Sequence, residues 1–113
     1  MHIIYYNPRC SKCREALNLL EENNCEVEIV EYLKEAPSQK ELKDLIKMLG
    51  VKPEDIVRKN EQVCKDNFSG KKFSDAEWIK ILSENPILIE RPIIINDGKA
   101  VIGRPPVKVL ELI

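Results

Sequence analysis

No sign of charge predominates in this chain. Eighteen Lys and Arg residues face 19 Asp and Glu, a formal net charge of −1 over 113 residues. A balance this even argues against broad electrostatic capture of nucleic acid or of an anionic membrane, so neither is expected as a partner. No apolar run approaches the roughly 18 residues needed to span a bilayer. Met1 to Tyr6 has no basic segment leading into an apolar stretch and small-residue cleavage site, so a cytoplasmic location is expected. Internal repeats and low-complexity segments are absent, and 113 residues are the length of one domain with its own core. Histidine is nearly absent: His2 is the only one, and it lies in an apolar strand-like run. Of the four cysteines at positions 10, 13, 25 and 64, only the first two are closely spaced, and Cys25, Cys64 and His2 do not supply the two further ligands zinc needs, so no metal is expected. Disulfides are rare in the cytosol, so these thiols call for a chemical or packing role.

What is present has clear periodicity. His2 to Tyr6 is a short apolar run ended by Asn7-Pro8, read as a buried central strand. From Ser11 the period changes to that of a helix, with Cys13, Ala16, Leu17 and Leu20 on one face and Asn23-Asn24 at its end. Cys25, Val27 and Ile29 then alternate with Glu26 and Glu28, a strand with one wet face. A right-handed crossover makes these two strands parallel. Ser38 with Glu41 and Ser74 with Glu77 form capping boxes. The first opens a helix with the stripe Leu42, Leu45, Ile46, Leu49 and a C-terminal Gly50; the second opens one with Trp78, Ile81 and Leu82 inward. Pro53 to Val57 reads as a short helix, and Asn67 to Gly70 as loop. Ile93 to Ile95, the turn Asn96-Asp97-Gly98-Lys99 and Ala100 to Ile102 make a hairpin. Pro105-Pro106 open a last helix whose stripe is Val107, Leu110 and Ile113. The expected architecture is α/β, a single domain over residues 1–113. Its order is β-α-β, a helical insertion at about 35–85, a β-hairpin and a helix. This is a thioredoxin-like layout on a mixed four-stranded sheet.

Chemistry concentrates at Cys10-Ser11-Lys12-Cys13-Arg14, which follows the first strand and opens the first helix. A thiol there faces unpaired backbone N–H groups and the positive end of the helix dipole, and both favour the nucleophilic thiolate. A C-x-x-C beside a β-α-β pattern is a redox signal. Cys13 has two readings, a resolving thiol or a small apolar residue of the helix stripe. Cys25 and Cys64 carry no such context. Four of the five arginines, Arg14, Arg58, Arg91 and Arg104, fall where this layout brings loops together. In it the loop before the third strand, here Arg91-Pro92, lies beside the redox cysteine, and its X-Pro bond is often cis. Arginine offers planar, bidentate donors suited to tetrahedral oxyanions.

The segment Tyr6-Asn7-Pro8-Arg9-Cys10-Ser11-Lys12-Cys13-Arg14 resembles the start of the glutaredoxin-coupled arsenate reductases, the ArsC family. Matches continue at Glu31-Tyr32-Leu33, Arg58-Lys59-Asn60, Asn85 through Ile93, and Gly103-Arg104-Pro105-Pro106, so the resemblance covers essentially the whole chain. It implies that Cys10 attacks arsenate and that Arg58, Arg91 and Arg104 hold the oxyanion, with Arg14 adding to the positive pocket. It also implies no bound cofactor. Glutathione is the co-substrate and glutaredoxin the donor that releases arsenite. Many members carry histidine where this chain has Tyr6, and serine where it has Cys13. A Cys10–Cys13 disulfide would suit thioredoxin as reductant. Spx regulators, which bind RNA polymerase, share the fold and a C-x-x-C; a regulator of that kind, or a thiol-disulfide reductase with another substrate, is the alternative reading.

Overall fold

Strand β1 (His2–Tyr5) carries the apolar run that follows the N-terminal methionine, and Asn7-Pro8 stops it. The computed structural model describes all 113 residues. Two units emerge, one formed by Met1–Glu35 with Arg91–Ile113 and the other by Ala36–Glu90.

The first unit holds the sheet. Helix α1 (Ser11–Glu22) follows β1, and β2 (Val27–Val30) runs parallel to β1 with His2 opposite Val27 and Tyr5 opposite Val30. The turn between them relies on Asn24, at φ 60°, a conformation asparagine tolerates. After Arg91, β3 (Ile93–Asn96) pairs antiparallel with β1, and β4 (Lys99–Ile102) pairs antiparallel with β3. Asp97 and Gly98 turn the hairpin at φ 53° and 75°, as a primed turn requires. The strand order is β2-β1-β3-β4. This is the mixed, four-stranded, thioredoxin-like arrangement that the sequence implies.

The core of this unit lies between α1 and the sheet. Ile4, Ala16, Leu20, Ile94 and Val109 are fully buried together. Cutting Leu20 back to alanine would cost about 2–5 kcal/mol, since the cavity adds to the lost transfer energy.

Three expectations are corrected here. The last element (Pro106–Leu112) is a 3₁₀ helix, not an α-helix, and it buries Val109 with Leu112 packed nearby. The predicted stripe of Val107, Leu110 and Ile113 is its exposed side, at 54%, 41% and 53%. A 3.0-residue period superposes residues three apart, and the proline start sets which ridge faces inward. His2 Nε2 and Asn96 Nδ2 both contact the Leu112 carbonyl, at 2.8 and 3.2 Å, and hold its end. Ile29 alternates as a strand residue should but is exposed, because β2 is an edge strand. In the helical part, Gln62–Asn67 forms a six-residue helix that polar composition hid.

The second unit is helical. It contains α2 (Gln39–Leu49), a 3₁₀ turn (Pro53–Ile56), α3 (Gln62–Asn67), α4 (Asp75–Glu84) and a second 3₁₀ turn (Pro86–Leu88). Both capping boxes are made: Ser38 accepts from the Glu41 N–H, Ser74 from the Glu77 N–H, and each glutamate answers the serine N–H. Gly50 closes α2 at φ 71°. Leu42, Leu45 and Ile46 of α2 are buried, as are Trp78, Ile79, Ile81 and Leu82 of α4. Phe68, Phe73 and Trp78 pack edge to face, with centroids 4.9–6.5 Å apart. No helix of the chain is long and apolar enough to cross a membrane.

Candidate active site

Cys10 is the N-cap of α1, with extended backbone angles (φ −95°, ψ 117°), so its sulfur sits at the open end of the helix. The loop before it is held by the Cys10 N–H, which donates to the Asn7 carbonyl at 3.0 Å. The sulfur is nearly buried. Burial alone would raise its pKa, yet the net effect is downward. Hydrogen bonds from the Cys13 backbone and thiol outweigh the desolvation, with the Arg91 charge and the Lys12 N–H adding to them. Cys13, fully buried one turn on, is driven the opposite way. Desolvation dominates, a backbone hydrogen bond from Asn7 opposes it, and the neighbouring Cys10 adds to it, so its thiol is pushed up to about 12. Of the two neighbouring thiols, Cys10 is thus the more acidic. All four cysteines are reduced.

Two arginines stand over this pair. Arg104 Nη2 lies 4.0 Å from Cys10 Sγ, and its Nε donates to the Arg91 carbonyl at 2.7 Å. Arg91 keeps its Nε and Nη1 buried with no hydrogen-bond partner. A buried donor without a partner is costly, and these N–H groups are open to an acceptor. The Arg91-Pro92 bond is cis, as the layout leads one to expect, and so is Arg104-Pro105, which the sequence did not announce. Gly103 was also missed. Its N–H donates to the Pro92 carbonyl at 2.8 Å, and an added Cβ would meet Pro92 Cγ at 3.0 Å. A side chain at this position would require Pro92, Val109 and Ile94 to give by a few tenths of an ångström. The signal for the glycine was its position between a strand and Arg104-Pro105.

The remaining predicted residues are placed differently. Arg14 is exposed and donates from Nη1 to the Pro8 carbonyl at 2.8 Å, bracing the loop that leads to Cys10. Arg58 belongs to the helical unit. Its Nη1 is bonded to Glu61, its Nε lies 3.7 Å from Glu90, and its own N–H donates to the Leu88 carbonyl. Tyr6 is half-buried beside the sheet core. Cys25 also packs against that core, and Cys64 is buried in the helical unit. The protein contains no group of three or more His, Cys, Asp or Glu side chains arranged to hold a metal ion.

The thioredoxin-like sheet thus carries a cysteine with a lowered pKa at the start of α1, a second thiol one turn on and Arg91 and Arg104 close by. The ArsC family model matches residues 5–112, and the chain belongs to that family. It is 44% identical over 113 residues to the arsenate reductase of Haemophilus influenzae, covering 98% of this chain and 97% of that one. It is 46% identical over 112 residues to the uncharacterised protein YfgD of Escherichia coli, covering 97% and 94%. The solved arsenate reductase of Vibrio cholerae superposes with a TM-score of 0.94 at 40% identity, over 99% of this chain and 97% of that one.

Proposed function

We propose that this protein is an oxidoreductase that reduces arsenate to arsenite through the Cys10 thiolate. The observation that carries the reading is a lowered-pKa thiol at a helix start, with Arg104 at 4.0 Å and two unpartnered donors on Arg91. In this reading the Cys10 thiolate attacks pentavalent arsenic and an oxygen leaves as water. Arg91 and Arg104 neutralise the oxyanion and hold it in line. The family resemblance also assigns Arg58 to the oxyanion, and Arg14 adds charge at the outer side of the Cys10 loop. A second thiol then completes the two-electron step: arsenic falls to the trivalent state, two sulfurs are oxidised to a disulfide, and arsenite leaves. With glutathione as that thiol, the mixed disulfide is cleared by glutaredoxin. With Cys13 as that thiol, the disulfide is internal and thioredoxin clears it. No bound cofactor enters either route. Both need reduced thiols, which a cytoplasmic location provides. The names carried by the relatives in Haemophilus influenzae and Vibrio cholerae support the substrate.

The test is arsenate reduction by the purified protein, with glutathione and glutaredoxin in one arm and thioredoxin in the other. Turnover is expected in at least one arm, and Cys10→Ser is expected to abolish it. Turnover that survives this substitution overturns the assignment. The donor preference reports which second thiol is used.

A further inference from the structure

Trivalent arsenic is a soft centre that condenses with thiols, and two thiols on one scaffold hold it far better than two separate ones. The first turn of α1 presents such a pair. Cys10 is at the N-cap and Cys13 three residues on, where side chains of one helical turn are neighbours. Each thiol perturbs the titration of the other, as close neighbours do. Neither thiol is tied up in a disulfide in this structure. We propose that Cys10 and Cys13 together form a chelating site for trivalent arsenic in its neutral, hydroxylated form, and that occupancy of this site blocks the nucleophile.

The chemistry balances without an oxidant or reductant. The Cys10 thiolate bonds to arsenic as one hydroxide leaves and takes a proton from solution to become water. The Cys13 thiol then bonds to the same arsenic, and its proton leaves with a second hydroxyl as another water. Arsenic remains trivalent with one hydroxyl and two sulfur ligands. The surroundings suit a neutral ligand for one reason and an anion for another: Arg91 and Arg104 attract the oxyanion, whereas the chelate depends on the sulfurs alone. A chain with serine at position 13 has one thiol here and lacks this site. The chelate's role as feedback from product rests on the proposed arsenate reduction, but the binding itself does not.

The experiment uses the whole protein reduced with a phosphine, because a dithiol reductant would itself take the arsenic. Sodium arsenite is added without arsenate or electron donor, and intact mass is read together with peptide-mapped protection from iodoacetamide. One adduct per chain is expected, at the mass of arsenous acid less two waters, with Cys10 and Cys13 both protected and Cys25 and Cys64 still reactive once the chain is unfolded. Cys13→Ser is expected to weaken binding by roughly a hundredfold, as one arm of a chelate is removed, while Cys25→Ser leaves it unchanged. An adduct at one thiol only, at Cys25 or Cys64, or with affinity unaltered by Cys13→Ser overturns the proposal. Protection mapping in the unsubstituted chain decides it even if Cys13→Ser folds poorly. Failure of arsenate turnover with the adduct intact would fault the reductase reading and not the chelate.

Discussion

The arginines of the two units are treated in opposite ways. In the sheet-bearing unit, Arg91 keeps two buried donors without partners and Arg104 aims Nη2 at the Cys10 sulfur. In the helical unit, Arg58 is bonded to Glu61 and lies close to Glu90, and the neighbouring Lys59 pairs with Glu54. Arg91 keeps two unpartnered donors near a thiol, whereas the cations of the helical unit are committed to carboxylates. Both sets come from equally basic-looking motifs, so residue type alone does not distinguish a ligand-binding cation from a structural one. The partners do.

The largest effect expected from this contrast is on thiol reactivity. Cys10 is lowered from the usual thiol value of 9.0 and Cys13 is raised to about 12. At neutral pH the thiolate fraction of Cys13 is therefore about a thousandfold below that of an ordinary cysteine. Iodoacetamide should modify Cys10 first, with a pH profile displaced to the acid side of a normal thiol, and leave Cys13 untouched while the fold is intact. Arg91→Ala should move that profile upward and Arg58→Ala much less. The signs of the stability linkage differ too. The contribution of Cys13 is full below its unfolded value and is lost as pH climbs toward about 12. That of Cys10 is present above its unfolded value and is lost as pH falls through its folded one. Equal reaction of both cysteines, or a Cys10 profile no different from a free thiol, would break the comparison.

Next in size is catalysis. Removing one preorganised donor from a developing oxyanion costs about 10²–10³ in rate. Arg91→Ala should lose that much arsenate turnover, and Arg91→Lys should recover little, since a point charge does not reproduce a planar fork. Arg58→Ala, whose charge is already shared with carboxylates, should lose about tenfold (~1.4 kcal/mol). Steady-state rates for the three variants at matched arsenate decide the order. A reversed order would mean that Arg58 is the principal oxyanion ligand and Arg91 a structural cation.

Much of this was legible in the sequence, and the gaps have physical causes. Period-3.6 and period-2 patterns fixed α1, α2, α4 and the hairpin, and the capping boxes marked two helix starts to the residue. Cys10 followed from a helix start after a strand. What failed was orientation where two periods agree: Val107, Leu110 and Ile113 make a plausible stripe, and 3₁₀ geometry turned it outward. The Gln62–Asn67 helix has almost no apolar pattern to read beyond Val63 and buried Cys64. That Arg14 would brace the Pro8 carbonyl, and that Glu61 and Glu90 would sit on Arg58, are tertiary facts that spacing does not encode.

Gly103→Ala sharpens the comparison on the side of the sheet. The added methyl would sit 3.0 Å from Pro92 Cγ and 3.2 Å from Val109 Cγ1, tighter than most packed carbons, so these side chains must shift. Overpacking of this kind costs about 1–3 kcal/mol. The strain falls between the loops that carry Arg91 and Arg104, so denaturant midpoint and arsenate turnover should drop together. Lost stability with full turnover would mean that the two arginines do not depend on this packing.

The smallest expected effect is in the helical unit and is purely structural. Ser38 caps α2, accepting from the Glu41 N–H at 3.1 Å while Glu41 answers the Ser38 N–H at 3.1 Å. Ser38→Ala removes the hydroxyl acceptor and should cost about 1 kcal/mol. The helix start bears on no cysteine and no arginine of the proposed chemistry. Urea unfolding should therefore move to lower concentration, while arsenate turnover and the pH profile of Cys10 alkylation stay unchanged. A shift in that profile would couple α2 to the thiol and overturn the assignment of this helix start to stability alone.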